Sequence, residues 1–371
     1  MRILVVTQDF PPLTGGIQSY MGSLCEHLRP FCEHLAVVAP GRDAERASDS
    51  GRPYPVRRIG IHSSWLALPL LSRLPEIVRS ERATHVLYAQ WLPATAGTLL
   101  PSGIRQASIV HGRELLNHPL GRLGLALSVP ILRRMDAVIP NSLATATLLP
   151  SGIRPERVHV VHPGVDSRKL SPPSDADKAR FFAKCGLSPD VPVVTTLARL
   201  VPRKGVDTLI AAMGILKTRH PDALLLVGGS GPDLGRLRSL VEDSRLGGHV
   251  RFLGRIPDQD MNAFLSAGVF ALLSRQTAKD VEGFGMVLAE AQACRAPVVA
   301  ARSGGMPEAV GPGAGIVVDP DAPDQAAEAI ASLLENTALR QEMGTKGRAF
   351  ARSLSWESRA EAIASILRAL T

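Results

Sequence analysis

Short apolar runs rich in Val, Ile, Leu and Ala alternate along this chain with longer stretches whose apolar positions recur at helical spacing. A strand covered on both faces reads as a near-continuous apolar run, and the helix that follows it shows one apolar stripe. The alternation therefore predicts βαβ units around parallel sheets. The strand candidates in the first half are 2–7, 35–39, 85–88, 108–111, 137–140 and 158–162. In the second half they are 193–197, 223–227, 250–253, 269–274, 297–301 and 315–318. The pattern thus occurs twice. It breaks between Pro163 and Pro192, where Ser171-Pro172-Pro173-Ser174 reads as a linker. The expectation is an α/β chain with two Rossmann-like doubly wound domains, 1–165 and 166–350, and a helical tail over 351–371. The tail helix, 356–370, has apolar positions at Ala360, Ile363, Ile366, Leu367 and Leu370. Doubly wound sheets bind ligands beyond the carboxyl ends of their strands, so a cleft between the lobes is the expected active site.

Composition narrows the partners. Of 371 residues, 45% are hydrophobic and 20% charged, as in ordinary globular proteins. No stretch approaches the ~20 apolar residues of a membrane span, and the apolar run 3–6 is too short for the core of a signal peptide. The expectation is a cytoplasmic protein. The four cysteines, Cys25, Cys32, Cys185 and Cys294, form no C-x-x-C pair and suggest neither zinc nor redox chemistry. The net charge of +8 is uneven: residues 1–165 hold 17 Arg, no Lys and 11 acids. Such a lobe suits an anionic partner such as a lipid headgroup or phosphate. It equally suits scattered, solvated charge. With 4% aromatic residues and no stacking motif, nucleic acid is not expected. The amphipathic stretch from Leu120 to Met135, with Arg122, Arg133 and Arg134, suits the inner face of an anionic membrane or, despite Pro130, an ordinary packed helix.

Five places carry candidate chemistry. After the first strand, Asp9-Phe10-Pro11-Pro12-Leu13-Thr14-Gly15-Gly16-Ile17 leads into a helix that runs to Leu28. Gly15 and Gly16 let backbone N–H groups approach a ligand, and the helix N-terminus favours an anion. The dinucleotide fingerprint is absent, because its third glycine is missing. After the first strand of the second half come Arg199 and Lys204. A guanidinium fork and a point charge there can hold a diphosphate and stabilise it as a leaving group. Val227-Gly228-Gly229-Ser230-Gly231 permits close backbone approach, to a ligand or within a plain βα turn. The most specific element is Glu282-Gly283-Phe284-Gly285-Met286-Val287-Leu288-Ala289-Glu290. Its two carboxylates stand on either side of a glycine-rich helix start. Glu290 sits among apolar residues, where an acid needs a partner, and its carboxylate suits the hydroxyls of a ribose. His111-Gly112 closes a strand of the first half, as a structural or a functional histidine.

Together these motifs resemble glycosyltransferase family 4, retaining enzymes of the GT-B fold. The resemblance runs from Asp9-Phe10-Pro11-Pro12 and Gly15-Gly16-Ile17, through Pro163-Gly164-Val165-Asp166, Arg199, Lys204, Glu282 and Glu290, to Ser355-Trp356-Glu357. Within the family it is strongest toward the actinobacterial phosphatidylinositol mannosyltransferases. That narrower likeness rests on Gly15-Gly16-Ile17-Gln18-Ser19-Tyr20, on 274–283, on Glu290-Ala291-Gln292-Ala293-Cys294 and on Ala301-Arg302-Ser303-Gly304-Gly305. Two departures stand out. Glu114-Leu115-Leu116 follows the His-Gly pair, and Arg295 occupies a position where that group commonly has Gly.

The resemblance implies a nucleotide-diphosphate sugar as donor, GDP-mannose first, and a lipid-linked or polyol acceptor such as a phosphatidylinositol mannoside. It implies no catalytic metal or cofactor. Arg199 and Lys204 would bind the diphosphate, with Gly16 contributing from the other lobe. Glu282 and the backbone of Phe284, Gly285 and Met286 would hold the transferred sugar, and Glu290 the ribose. Gly229, Arg255 and Ile256 complete the donor set, the last two near the base. His111 would contact the sugar at the reaction centre, with Asp9 and Gln18 on the acceptor side. The tail helix would cross back onto the first lobe. Front-side attack with retention is implied, the leaving phosphate helping to deprotonate the acceptor.

Three other readings compete. The same chemistry with a UDP-sugar and a saccharide or lipopolysaccharide acceptor fits the same residues. A nucleotide-sugar epimerase shares the two-lobed fold but needs acid/base groups placed for C2 chemistry. A Rossmann oxidoreductase requires the intact G-x-G-x-x-G that this chain lacks.

Overall fold

The structure is a computed structural model that describes residues 1–41, 47–59, 67–117 and 121–370. Leu120, the first residue of the amphipathic stretch, and Thr371 lie outside them. The chain divides into two compact units. One comprises residues 1–164 and 354–371, the other 165–353.

The first unit is built on a six-stranded sheet. Its strands are β1 (Arg2–Val6), β2 (His34–Pro40), β3 (Val56–Ile59), β4 (His85–Tyr88), β5 (Arg105–Val110) and β6 (Ala137–Pro140). They lie in the order β3-β2-β1-β4-β5-β6, and each neighbouring pair is parallel. The central β1 buries Ile3, Leu4, Val5 and Val6 almost completely, which is why it reads as an unbroken apolar run.

The second unit repeats the plan with β7 (Val193–Leu197), β8 (Leu224–Gly228), β9 (Val250–Gly254), β10 (Val269–Leu272), β11 (Val298–Ala301) and β12 (Gly315–Val318). Their order is β12-β11-β10-β7-β8-β9, again with parallel pairing. In both sheets the chain winds outward from the first strand on one side and later continues on the other. The switch point therefore falls between β1 and β4 in one unit and between β7 and β10 in the other. The loops leaving those strands diverge there and open a crevice.

Two strand expectations need correcting. The run 158–162 is not a strand. Val158 makes one isolated bridge to Val138, and His159 and Val161 donate backbone N–H groups to Val138 and Pro140, after which Pro163-Gly164 ends the run. In its place β3 occupies the far edge of the sheet, and its Val-Arg-Arg-Ile sequence hid it. Arg57 pairs with Glu81, while the Arg58 guanidinium is buried against Asp49 at 2.8 Å and the Pro40 carbonyl at 2.9 Å. A buried charge is tolerated when it is paired and its donors are used. Arg58 also donates to the Pro11 carbonyl at 2.5 Å, which ties the loop after β1 to this edge strand.

The C-terminal helix Trp356–Arg368 packs within the first unit against the helix Gly16–Leu28. The Trp356 ring meets Tyr20 edge-on at 5.1 Å, and Glu357 lies 3.4 Å from His27. Gly164 comes so close beneath the indole that an added Cβ would stand 2.4 Å from a Trp356 ring carbon. The glycine of Pro163-Gly164 is thus fixed by this return helix.

Candidate functional site

In the second unit, the loops after β7 and β10 meet through charge. The loop after β7 turns through a short 3-10 segment, Pro202–Lys204, and ends at Gly205 in the left-handed region. A Cβ on Gly205 would come within 1.9 Å of the Leu273 carbonyl oxygen, so only glycine lets this turn lie against the end of β10. That approach brings Lys204 and Arg203 to Glu282, which lies in the loop after β10. The Lys204 ammonium and the Arg203 guanidinium both engage Glu282 Oε2, the latter at 2.9 Å. Ser274 donates its hydroxyl to the same oxygen at 3.4 Å, and Arg203 forms a second ion pair with Asp280 at 3.1 Å. Burial works against charge on Glu282, but Lys204 and Arg203 outweigh it and hold its pKa down to about 2. The carboxylate is ionised throughout the neutral range.

Sequence reading singled out Lys204 and Glu282 and overlooked Arg203. Its signal was adjacency alone, since 78 residues separate Lys204 from Glu282 along the chain. Arg275, also overlooked, braces the arrangement. Its backbone N–H donates to the Arg203 carbonyl at 2.8 Å, and its side chain holds Asp207 at 2.6 Å and Thr208 at 2.8 Å.

Arg199 differs from these cations. It lies in the loop after β7, exposed, and its side chain has no partner among the described residues. The backbone around it is pinned instead: Ala198 donates to Gly228 at 3.2 Å and Leu200 to Ser230 at 2.9 Å. These bonds join the β7 loop to the glycine-rich turn after β8. Gly229 has a φ of 108°, and a Cβ there would come 1.9 Å from the Ala198 carbonyl. The close backbone approach expected of this turn is therefore made to the chain itself. Arg255 and Ile256 follow β9 beside the same turn, Arg255 exposed and Ile256 packed near Gly228.

The helix Met286–Ala293 starts at Gly285, whose φ is 87°. Phe284 is buried in front of it, and Met286 opens its first turn, where backbone N–H groups lack helical acceptors. Glu290 sits in the second turn, half-buried, and no described side chain or backbone group bonds its carboxylate. Burial pushes its pKa up to about 7. Glu282 and Glu290 thus share a motif and differ in state. One is neutralised by two cations, and the other has no bonding partner among the described residues.

In the first unit, the carboxyl ends of β1, β4 and β5 bring a second group together. Asp9 accepts from Gln18 at 2.7 Å and from Gln90 at 3.2 Å. Gln90, in the loop after β4, was not foreseen. Burial raises the Asp9 pKa, against the opposing pull of His111 and the Gln90 bond. His111 is buried at the end of β5, with Nε2 3.0 Å from the Ala89 carbonyl. A carbonyl only accepts, so Nε2 carries the proton and Nδ1 is left as the acceptor. Burial lowers the His111 pKa to about 4, which keeps the ring neutral at physiological pH. Tyr20 covers it edge-on at 5.1 Å. Gly16 is exposed at the start of the 13-residue helix Gly16–Leu28.

Comparison with known proteins fits both units. Residues 14–169 match the family Glycosyltransferase Family 4, and residues 177–350 match Glycosyl transferases group 1. A GDP-mannose-dependent monoacylated alpha-(1-6)-phosphatidylinositol monomannoside mannosyltransferase of Corynebacterium glutamicum is 36% identical, over 99% of this chain and 98% of its own length. A GDP-mannose-dependent alpha-(1-6)-phosphatidylinositol monomannoside mannosyltransferase of Mycolicibacterium smegmatis is 35% identical, over 98% of each. Among solved structures, Anabaena Alr3699/HepE in complex with UDP superposes with a TM-score of 0.82 at 23% identity, covering all of both chains.

Proposed function

The chain belongs to glycosyltransferase family 4 with the GT-B fold, and from that membership we propose that it transfers mannose from GDP-mannose to a phosphatidylinositol mannoside with retention. The observation that carries the proposal is the charge arrangement at the β7/β10 switch point, where Lys204 and Arg203 surround Glu282 and Arg199 is exposed with no partner among the described residues. A donor diphosphate supplies the anion that Arg199 lacks. As the sugar–phosphate bond breaks, charge grows on the leaving oxygen, and cations already in place stabilise it without reorganising. Glu282, held ionised, accepts hydroxyls of the transferred sugar. Glu290, half-buried among apolar residues in the second turn of the helix Met286–Ala293, accepts from the ribose.

In the first unit, His111 contacts the transferred sugar through Nδ1, and Gly16 offers its backbone N–H to the diphosphate. Asp9 and Gln18 meet the acceptor. The choice of mannose, guanosine and a phosphatidylinositol mannoside follows the full-length relatives.

Access to a lipid acceptor is proposed through a peripheral contact with an anionic membrane. No described helix is long and apolar enough to cross one. The helix Gly121–Arg134 exposes Arg122, Leu127, Pro130, Arg133 and Arg134 on one face, while Gly124, Ser128, Ile131 and Leu132 are buried on the other. Such a face combines apolar contact with cation attraction.

The deciding experiment incubates the protein with phosphatidylinositol monomannoside and either GDP-mannose or UDP-glucose. Dimannoside formed from GDP-mannose, with an α-linkage by NMR, is the expected result. Transfer from UDP-glucose alone would overturn the donor assignment, and a β-linkage would overturn retention.

A further inference from the structure

His111 stands in a turn that its own sequence holds weakly. It follows the last residue of β5, and the next residue, Gly112, has a φ of 105°. The helix after it, Arg113–Leu116, has only four residues, and so short a helix is marginal on its own. Besides the backbone bond from Leu115 to the Gly112 carbonyl at 3.0 Å, Glu114 makes two contacts across the turn. Its carboxylate folds back and accepts the His111 backbone N–H at 2.5 Å. Its carbonyl accepts the Trp91 indole N–H at 2.9 Å. Trp91 follows Ala89 in the loop after β4, and Ala89 supplies the carbonyl that fixes the His111 ring. Glu114 therefore bonds to the backbone that carries the imidazole and to the loop that orients it.

We propose that Glu114 is a positioning residue for His111, locking the β5 turn to the β4 loop so that the imidazole keeps its proton on Nε2 and presents Nδ1 as an acceptor. The inference rests on the reading of His111 as a residue that contacts the transferred sugar. What Glu114 supplies is an acceptor at the end of a two-methylene side chain. A carboxamide supplies an acceptor at the same reach, whereas aspartate keeps the charge and loses the reach. If the turn loosens, the ring loses its fixed distance to Ala89, and misplacement of a contact by about 1 Å costs up to a hundredfold in turnover. Donor binding by the second unit's cations is untouched.

The test measures kcat and KM for GDP-mannose in full-length Glu114→Asp, Glu114→Gln and His111→Ala, alongside the ring ¹⁵N shifts of His111 in ¹⁵N-histidine-labelled protein. Glu114→Asp should lose roughly tenfold or more in kcat with KM held within about twofold. Its His111 signals should move toward a mixture of tautomers. Glu114→Gln should keep near-normal kcat and a single tautomer. Full activity in Glu114→Asp, or equal loss in Glu114→Gln, would overturn the proposal. His111→Ala separates the two ideas. If it keeps normal kcat, the role of His111 itself fails; if it is inactive while Glu114→Asp is not, only the positioning role fails.

Discussion

Arg203 donates to Glu282 Oε2 at 2.9 Å, and Lys204, the next residue, engages the same oxygen. One carboxylate thus sets the position of two cations on the loop after β7. Its pKa, held near 2 against an ordinary 4.5, gives the pair a defined pH window. The stability it contributes is fully present above pH 4.5 and is lost as pH falls through about 2. At neutral pH the shift corresponds to about 3 kcal/mol. Glu282→Gln is therefore expected to be less stable than the parent at pH 7. In urea titrations the gap should narrow as pH falls from 4.5 toward 2. A gap that does not change with pH would mean that charge on Glu282 is not what holds the loops together.

Arg199 makes the opposite prediction, because it is exposed and has no partner among the described residues. Arg199→Ala should leave the melting temperature nearly unchanged, since an exposed substitution away from any network costs within about 0.5 kcal/mol. GDP-mannose affinity should fall about 10- to 100-fold, the worth of one charge-assisted contact of roughly 1.5–3 kcal/mol. Calorimetric titration with GDP-mannose, next to a thermal melt, separates the two. Lys204→Ala should lower both affinity and stability, because it also leaves Glu282 with one cation fewer.

Much of this was legible in the chain. The six strands of the second unit stand where the apolar runs put them; β8, β10 and β11 are buried along their whole length, and even β9, which carries the exposed Arg251, keeps an apolar majority. The misread parts share one cause: polar groups satisfied by residues far away in sequence. Arg58 sits inside the first unit because Asp49 and two carbonyls meet it, and nothing in Val-Arg-Arg-Ile announces them. Arg203 looked like a neighbour of the important lysine until the loop after β10 came into view. Glu290 was the clearest case in the other direction. An acid among apolar residues needs a partner, and none of the described residues bonds its carboxylate.

The burial of Glu290 has a pH signature. Burial raises the Glu290 pKa to about 7, so near neutrality the folded protein holds the proton in part. For folding the sign is unfavourable: stability falls as pH rises from 4.5 through about 7. For binding it reverses, because an ionised carboxylate is the stronger acceptor for two ribose hydroxyls. GDP-mannose affinity should rise with pH up to about 7 and level off above it. Binding at pH 7 should release protons, seen as a dependence of the calorimetric enthalpy on the buffer's ionisation heat. Glu290→Gln should bind more weakly and show neither effect. A flat pH profile in the parent would remove Glu290 from the ribose site.

Arg295 carries the last prediction, because it holds a backbone conformation that glycine adopts more readily. Its φ is 65°, in the left-handed region, at the end of the helix Met286–Ala293. A side chain there costs roughly 1–2 kcal/mol, which glycine avoids. Glycine gives back about 0.5–1 kcal/mol through the greater freedom of its unfolded chain. Charge favours the glycine as well, because burial together with Arg352 and Arg295 holds the Arg348 pKa below its usual value. Arg295→Gly should therefore stabilise the protein by about 0.5–1 kcal/mol, raising the melting temperature by roughly 1–4 °C. Arg295→Ala is the control. It removes the charge but keeps a Cβ in the left-handed region, so it should recover little of the gain. If alanine stabilises as much as glycine, charge repulsion rather than backbone strain is what this position costs.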